Sequence, residues 1–230
     1  MIRNTRRTRR SAWARKAPNR SGSGTSRSRV DEARIVKQYP PLTVALIALC
    51  VAVALLSQLG ASQEVLQYLY IADPHSEGLA AVGNGQVWRL LTPIFIHFGI
   101  MHLVFNMMWL WDLGGLIEAK KGSWFLGGFT LAVGIPSNLA QYLLGGSPFF
   151  GGMSGVVYGL LGYIWMQGRY NPRFGHVLHK STVVMMLAWF VLCWTGLLGP
   201  IANWAHSASL LIGVAWGYLE RNKSPARIVK

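Results

Sequence analysis

Acidic side chains are scarce in this sequence. Eight Asp and Glu stand against 22 Lys and Arg in 230 residues, and no acid occurs between Glu118 and Glu220. Asp112 is the only Asp in any apolar stretch, so hydrolysis by a pair of facing aspartates has no second carboxylate to use. No His-Glu-x-x-His pattern offers a zinc site. His97 and His102 are five residues apart, a poor fit for two ligands on one helical face, and His176 and His179 belong to a basic loop. The two cysteines, Cys50 and Cys193, both lie in apolar stretches with no C-x-x-C or Cys/His ligand spacing. They read as free thiols packed among apolar neighbours. Neither a metal nor another cofactor is implied.

Apolar residues fill the space that charge leaves. They make up 52% of the chain, with ten Trp, more than an ordinary soluble domain carries. Six apolar stretches stand out: 42–59, 99–117, 124–144, 152–166, 183–198 and 204–219. Several fall short of the ~20 residues that cross a bilayer comfortably, which suits helices that border a water-filled indentation. Twelve of the 22 Lys and Arg lie in residues 1–37. The arm, Lys120, Lys121, Arg169, Arg173, Lys180 and the tail from Arg221 mark one side of the membrane, whereas connections 145–151 and 199–203 carry no charge. The excess of basic residues on one side places both termini in the cytoplasm, as six crossings require. The Arg-, Ser- and Gly-rich arm, residues 1–38, is expected to be disordered and to touch anionic lipid head groups. Its Arg6-Arg7 and Arg9-Arg10 pairs are followed by no nearby apolar region, so a twin-arginine signal is disfavoured, and with the charge confined to an arm no nucleic-acid partner is expected. Residues 39–220 form one membrane domain and 221–230 a basic tail. Segment 60–98 is too polar to span; Tyr68, Tyr70 and Trp88 favour an ordered interfacial element.

Counting residues from the basic anchors sets depth. Ser154 precedes Arg169 by fifteen residues and His206 precedes Arg221 by fifteen. At ~1.5 Å per residue both stand roughly 22 Å above the cytoplasmic face, several ångströms inside a ~30 Å hydrocarbon layer. Asn106, fourteen residues before Lys120, falls at nearly the same level, with His102 one turn higher on the same face. Four polar groups from three helices thus share one layer. A single Ser in a membrane helix ordinarily bonds its own backbone, but a His there is rarer and more often paired.

The chemistry follows from the residue types. Ser154 is the candidate nucleophile and His206 the candidate base. The Ser154 N–H, the Asn106 amide and a His102 ring N–H are candidates to bind a developing oxyanion. Gly152 lets a substrate backbone approach, and Tyr158, one turn after Ser154, is placed to stack on the His206 ring. With no acid available, a Ser–His dyad is expected in place of a triad. The soluble-hydrolase elbow G-x-S-x-G is not matched, since Val156 stands at its last glycine. Ala205, Ser209, Gly213 and Gly217 form a small-residue row at four-residue spacing, and Gly155 and Gly159 a second, as close helix packing requires.

Trp88-Arg89, His97-x4-His102-x3-Asn106, Gly152-Met153-Ser154-Gly155 with Tyr158, and Ala205-His206 together resemble the rhomboid intramembrane serine proteases of the bacterial GlpG type. The resemblance spans about residues 84–220. It implies an all-α, compact six-transmembrane-helix bundle in the bacterial inner membrane, with a cavity open to the extracytoplasmic side. The transmembrane helix of another membrane protein would be its substrate. It further implies Ser154 as nucleophile, His206 as base, and His102, Asn106 and the Ser154 amide as oxyanion hole flanked by Gly152. Phe105 and Trp189 would form a gate between the second and fifth helices, and Trp88-Arg89 would belong to a first loop lying partly in the membrane. The family often has Gly three residues after the catalytic His; Ser209 stands there, and a looser contact with Gly155 is expected. Some members carry a folded cytosolic domain, which the short basic arm before Pro40 is not expected to form. A non-catalytic family member that binds membrane helices is the alternative; such relatives usually lack the Ser or the His.

Overall fold

Proline or glycine stands at several helix boundaries, as at Pro41, Gly99 and Gly122, whereas Pro136 lies inside a helix. The computed structural model describes residues 40–223, and all regular structure among them is helical. The basic arm, its twin-arginine pairs and the tail residues Arg227 and Lys230 lie outside the described residues. Six long helices carry the fold: α1, Pro41–Leu56; α2, Ile100–Lys121; α3, Ser123–Gly145; α4, Ser154–Tyr170; α5, Lys180–Trp194; and α6, Asn203–Leu219. Of the described helices, α2 alone is long and apolar enough to cross a membrane by length and composition, and α1 and α5 are shorter apolar helices. A π-helical turn at Leu110–Gly114 interrupts α2.

Two helices end before their apolar stretches do. The apolar stretch runs to Leu59, but α1 stops at Leu56. Gln58 and Leu59 adopt left-handed backbone (φ 51° and 55°) so that the chain doubles back beneath the start of α2. There Gly99 N–H donates to Leu59 O at 3.0 Å. Likewise the apolar stretch 183–198 outlasts its helix: α5 begins at Lys180 and closes at Trp194. Thr195 Oγ1 bonds Leu192 O at 2.7 Å and accepts from Leu197 N–H, terminating the helix, and Gly196 and Gly199 at positive φ carry the turn onward.

The long connection between α1 and α2 is ordered. It holds short helices Gln63–Leu66 and Ala80–Gly83 and the 3₁₀ turns Val87–Leu90 and Thr92–Phe95. Arg89 is its hub. The guanidinium is buried, donates to Gln67 O (2.6 Å), Tyr70 O (3.1 Å) and Gln86 Oε1 (2.7 Å), and pairs with Asp73 at 3.5 Å. Several acceptors around one fixed fork compensate the desolvation of the charge. Trp88 Nε1–H donates to Tyr68 O at 3.2 Å.

α4 is the central helix. Eleven of its 17 residues are buried, so it is enclosed on nearly all faces rather than amphipathic. Its partner α6 approaches almost backbone to backbone. A methyl added at Gly213 would collide with the Gly159 carbonyl, and one at Gly217 would lie 2.6 Å from Tyr163 O. The expected small-residue row is therefore the contact itself, but its register differs from the expected one. Gly155 faces Ser137 Oγ and Ala205, and Ser209 presents its carbonyl to Gly159 at 3.4 Å from an added methyl. The hydroxyl of Ser209 turns back to its own helix, donating to His206 O at 3.0 Å, and so creates no clash. By contrast α5 buries only Val183, Met186 and Cys193.

Candidate active site

Ser154 opens α4 and His206 lies one turn into α6. As the first residue of its helix, Ser154 has a backbone N–H with no helical acceptor. The Ser154 Oγ and the His206 Nε2 are 2.8 Å apart, bridging the two most closely packed helices. With the hydroxyl donating to Nε2, the imidazole proton resides on Nδ1. Tyr158 lies against the same ring, centroids 4.8 Å apart at 42°, and its hydroxyl donates to Met186 O on α5 at 3.3 Å. The imidazole, carried by α6, is thereby held against α4, and Tyr158 is tied in turn to α5.

The backbone before Ser154 is shaped by glycine. Gly152 has φ +128°, and a methyl there would sit 2.7 Å from His102 Nε2 and 3.3 Å from Ser154 Oγ. The His102 ring and the Ser154 hydroxyl thus border the same small space. His102 Nδ1 accepts from Phe98 N–H at 3.3 Å, which leaves its proton on Nε2, on the Gly152 side. Gly152 N–H is engaged with Pro93 O at 3.0 Å. Asn106, one turn along α2, is buried and donates from Nδ2 to His102 O at 2.8 Å, so one of its two amide hydrogens is committed to its own helix.

Phe105 and Trp189 face one another across α2 and α5, ring centroids 6.1 Å apart, and both are about half exposed. His97, outside the expected site, is fully buried. Its Nδ1 is 3.1 Å from Phe95 O and its Nε2 accepts from Met153 N–H at 3.5 Å, so it anchors the Gly152–Met153 turn. Among the described residues no three His, Cys, Asp or Glu side chains converge as metal ligands.

Sequence reasoning missed two polar groups that place His206. Gln141 on α3 accepts Trp204 N–H (3.1 Å) and Ala205 N–H (3.3 Å), capping the first turn of α6 from another helix. Asn203 donates from Nδ2 to Cys193 O at 3.0 Å, joining the end of α5 to the start of α6. The available signal was a Gln inside an apolar span and an Asn three residues before the His. Neither spacing identifies its partner, which is remote in sequence.

Comparison with known proteins finds a family and relatives. The Rhomboid domain family model matches residues 84–223. Two curated relatives, each called Rhomboid protease GlpG, come from Klebsiella pneumoniae strain 342 and from Klebsiella pneumoniae subsp. pneumoniae strain ATCC 700721 / MGH 78578. Each is 36% identical over 181 residues, which is 78% of this chain and 63% of the relative. The chain therefore spans just under two thirds of the length of these relatives. The matched region holds Ser154, His206 and every element that positions them, and by it the chain belongs to the rhomboid family.

Proposed function

We propose that this protein is an intramembrane serine endopeptidase that cleaves transmembrane segments of other membrane proteins with a Ser154–His206 dyad. The observation that carries the proposal is the 2.8 Å hydrogen bond between Ser154 Oγ and His206 Nε2 across α4 and α6. Membership of the rhomboid family and the name of the two relatives support the same activity.

The six long helices are read as six membrane crossings. Support comes from their outward faces, where Leu55, Trp124, Leu143, Val191 and Leu211 are exposed on α1, α3, α5 and α6. Side chains of this size covering several helix faces suit lipid contact. Basic residues gather at one set of helix ends, with Lys120 and Lys121 closing α2 and Arg169 closing α4. That end is assigned to the cytoplasm of a bacterial inner membrane, and the Ser154 end to the opposite face. Residues 39–220 are taken as the protease domain, with the basic arm on anionic lipid and the basic tail in the cytoplasm.

The reaction follows the geometry. Ser154 Oγ attacks the scissile carbonyl carbon while its proton passes to His206 Nε2. The carbonyl oxygen becomes an oxyanion, met by the Ser154 N–H, the His102 Nε2–H and the free hydrogen of the Asn106 amide. Collapse breaks the peptide C–N bond, and the imidazolium gives its proton to the leaving amine. Water then cleaves the acyl-enzyme with His206 again as base. A helical substrate hides its carbonyls in its own hydrogen bonds, so segments that unwind near the outer interface are favoured. Entry is assigned to the side between α2 and α5, past Phe105 and Trp189.

Purified full-length protein in liposomes tests the proposal with a membrane-embedded reporter and a fluorophosphonate probe. The wild type is expected to cleave the reporter and to be labelled at Ser154. Ser154→Ala is expected to do neither, and His206→Ala to lose at least ~10³-fold in cleavage. Undiminished cleavage by either variant would overturn the assignment, and a folded wild type that neither labels nor cleaves would point to a non-catalytic member that binds membrane helices.

A further inference from the structure

We propose that Asn203 is a positioning residue for His206, its Oδ1 accepting the Nδ1–H of the imidazole through one buried water. The inference rests on the dyad proposed above. Among the described residues three buried side-chain polar atoms have no hydrogen-bond partner: Thr130 Oγ1, Asn203 Oδ1 and His206 Nδ1. The last two are complementary. Because Nε2 accepts from Ser154, Nδ1 carries the proton and is a donor. Because Asn203 Nδ2 donates to Cys193 O at 3.0 Å, the orientation of its amide is fixed and the remaining atom is an acceptor. Asn203 and His206 are three residues apart on α6, hence neighbours on one helix face. Both side chains engage the helices that enclose the site, Asn203 through Cys193 on α5 and His206 through Ser154 and Tyr158 on α4.

A buried donor and a buried acceptor left unpaired are each costly, and a water that bonds both relieves them together. The arrangement also answers a chemical need. A histidine base works only with its proton on the far nitrogen and its ring aimed at the nucleophile, and a third residue normally supplies both conditions. No carboxylate occurs between Glu118 and Glu220 to serve here. An amide oxygen selects the same tautomer as a carboxylate oxygen would.

The test separates the two ends of the Asn203 amide. In full-length protein in liposomes, Asn203→Ala removes both, whereas Asn203→Asp keeps the acceptor and loses the donor to Cys193 O. Asn203→Ala is expected to lower kcat on the reporter, and the rate at which fluorophosphonate modifies Ser154, by roughly tenfold. KM should stay within about twofold, because substrate contacts are untouched. Asn203→Asp is expected to keep the modification rate within about threefold of wild type. Should Asn203→Asp fail to fold, Asn203→Ser, whose hydroxyl also accepts, is held to the same criterion. An unchanged modification rate in Asn203→Ala overturns the proposal. Equal losses in the Ala and acceptor-bearing variants, with equal falls in Tm, also overturn it and reduce Asn203 to a structural tie between α5 and α6. A wild type that neither labels nor cleaves removes the dyad and this proposal together; one that does both, with Asn203→Ala unaffected, removes the proposal alone.

Discussion

Gly152 shows how closely chemistry and backbone are joined in this site. Its φ of +128° is a region that side chains resist, and an added methyl would meet the His102 ring at 2.7 Å. Gly152→Ala is therefore expected to push His102 from its place beside Ser154 Oγ. Loss of one donor of the proposed oxyanion site is worth about 10²–10³ in kcat, so reporter cleavage should fall at least a hundredfold; a kcat within threefold of wild type would show that the His102 ring is not needed where it stands. At this scale the sequence was informative where residue type is decisive. A hydroxyl and an imidazole counted to equal depth from Arg169 and Arg221 do lie within hydrogen-bond reach. It was uninformative about His97, because a lone His next to a helix start gives no sign that Met153 N–H is its partner.

The contact between α4 and α6 is what sets the distance from Ser154 to His206. Glycines at 162, 213 and 217 bring the two backbones together, and any side chain there acts as a wedge. Gly213→Ala, whose new methyl would strike the Gly159 carbonyl, is expected to lower stability by about 1–3 kcal/mol. Gly128→Ala on α3, where nothing lies within 4 Å of the added methyl, is the control and should be neutral or slightly stabilising. Thermal denaturation in detergent checks the pair, and reporter cleavage should fall with Gly213→Ala alone. The small-residue rows were visible in sequence because close packing demands them. Their register was not, since every residue of such a row is equally able to face a partner, and the shape of Val133, Phe129 and Ser137 on α3 selects which glycine meets which.

Across the whole molecule, acids near the basic helix ends tie distant segments together. Glu118 accepts from Leu42 N–H, Thr43 N–H, Thr43 Oγ1–H and Ser123 Oγ–H, joining α1, α2 and α3. Glu220, just past α6, accepts from Tyr163 Oη–H at 2.8 Å and Lys121 Nζ–H at 3.1 Å, joining α6 to α4 and α2. Burial alone would raise the Glu220 carboxyl, but the hydrogen bonds from Tyr163 and Lys121, the charge of Lys121 and a further bond from Trp216 outweigh it and hold the group below its usual range. A depressed folded-state pKa contributes stability above the ordinary carboxylate range, and that stability is lost as pH falls through the depressed value. Glu220→Gln should therefore lower Tm at pH 7 and differ progressively less from wild type below about pH 4; a Tm gap that is independent of pH would show that the charge of Glu220 is not what binds these helices. The sequence by itself determined the apolar stretches from which the helices form, the one Ser and one His counted to equal depth, and the absence of acids between Glu118 and Glu220, because composition and spacing are local properties of the chain. Only the tertiary structure decided where α1 and α5 end, how the small-residue rows mesh, and that Gln141 and Asn203 hold the His206 helix in place. Those depend on which atoms of remote segments come within hydrogen-bond or contact distance of one another, a distance that packing of the assembled helices sets and that no spacing along a single helix contains.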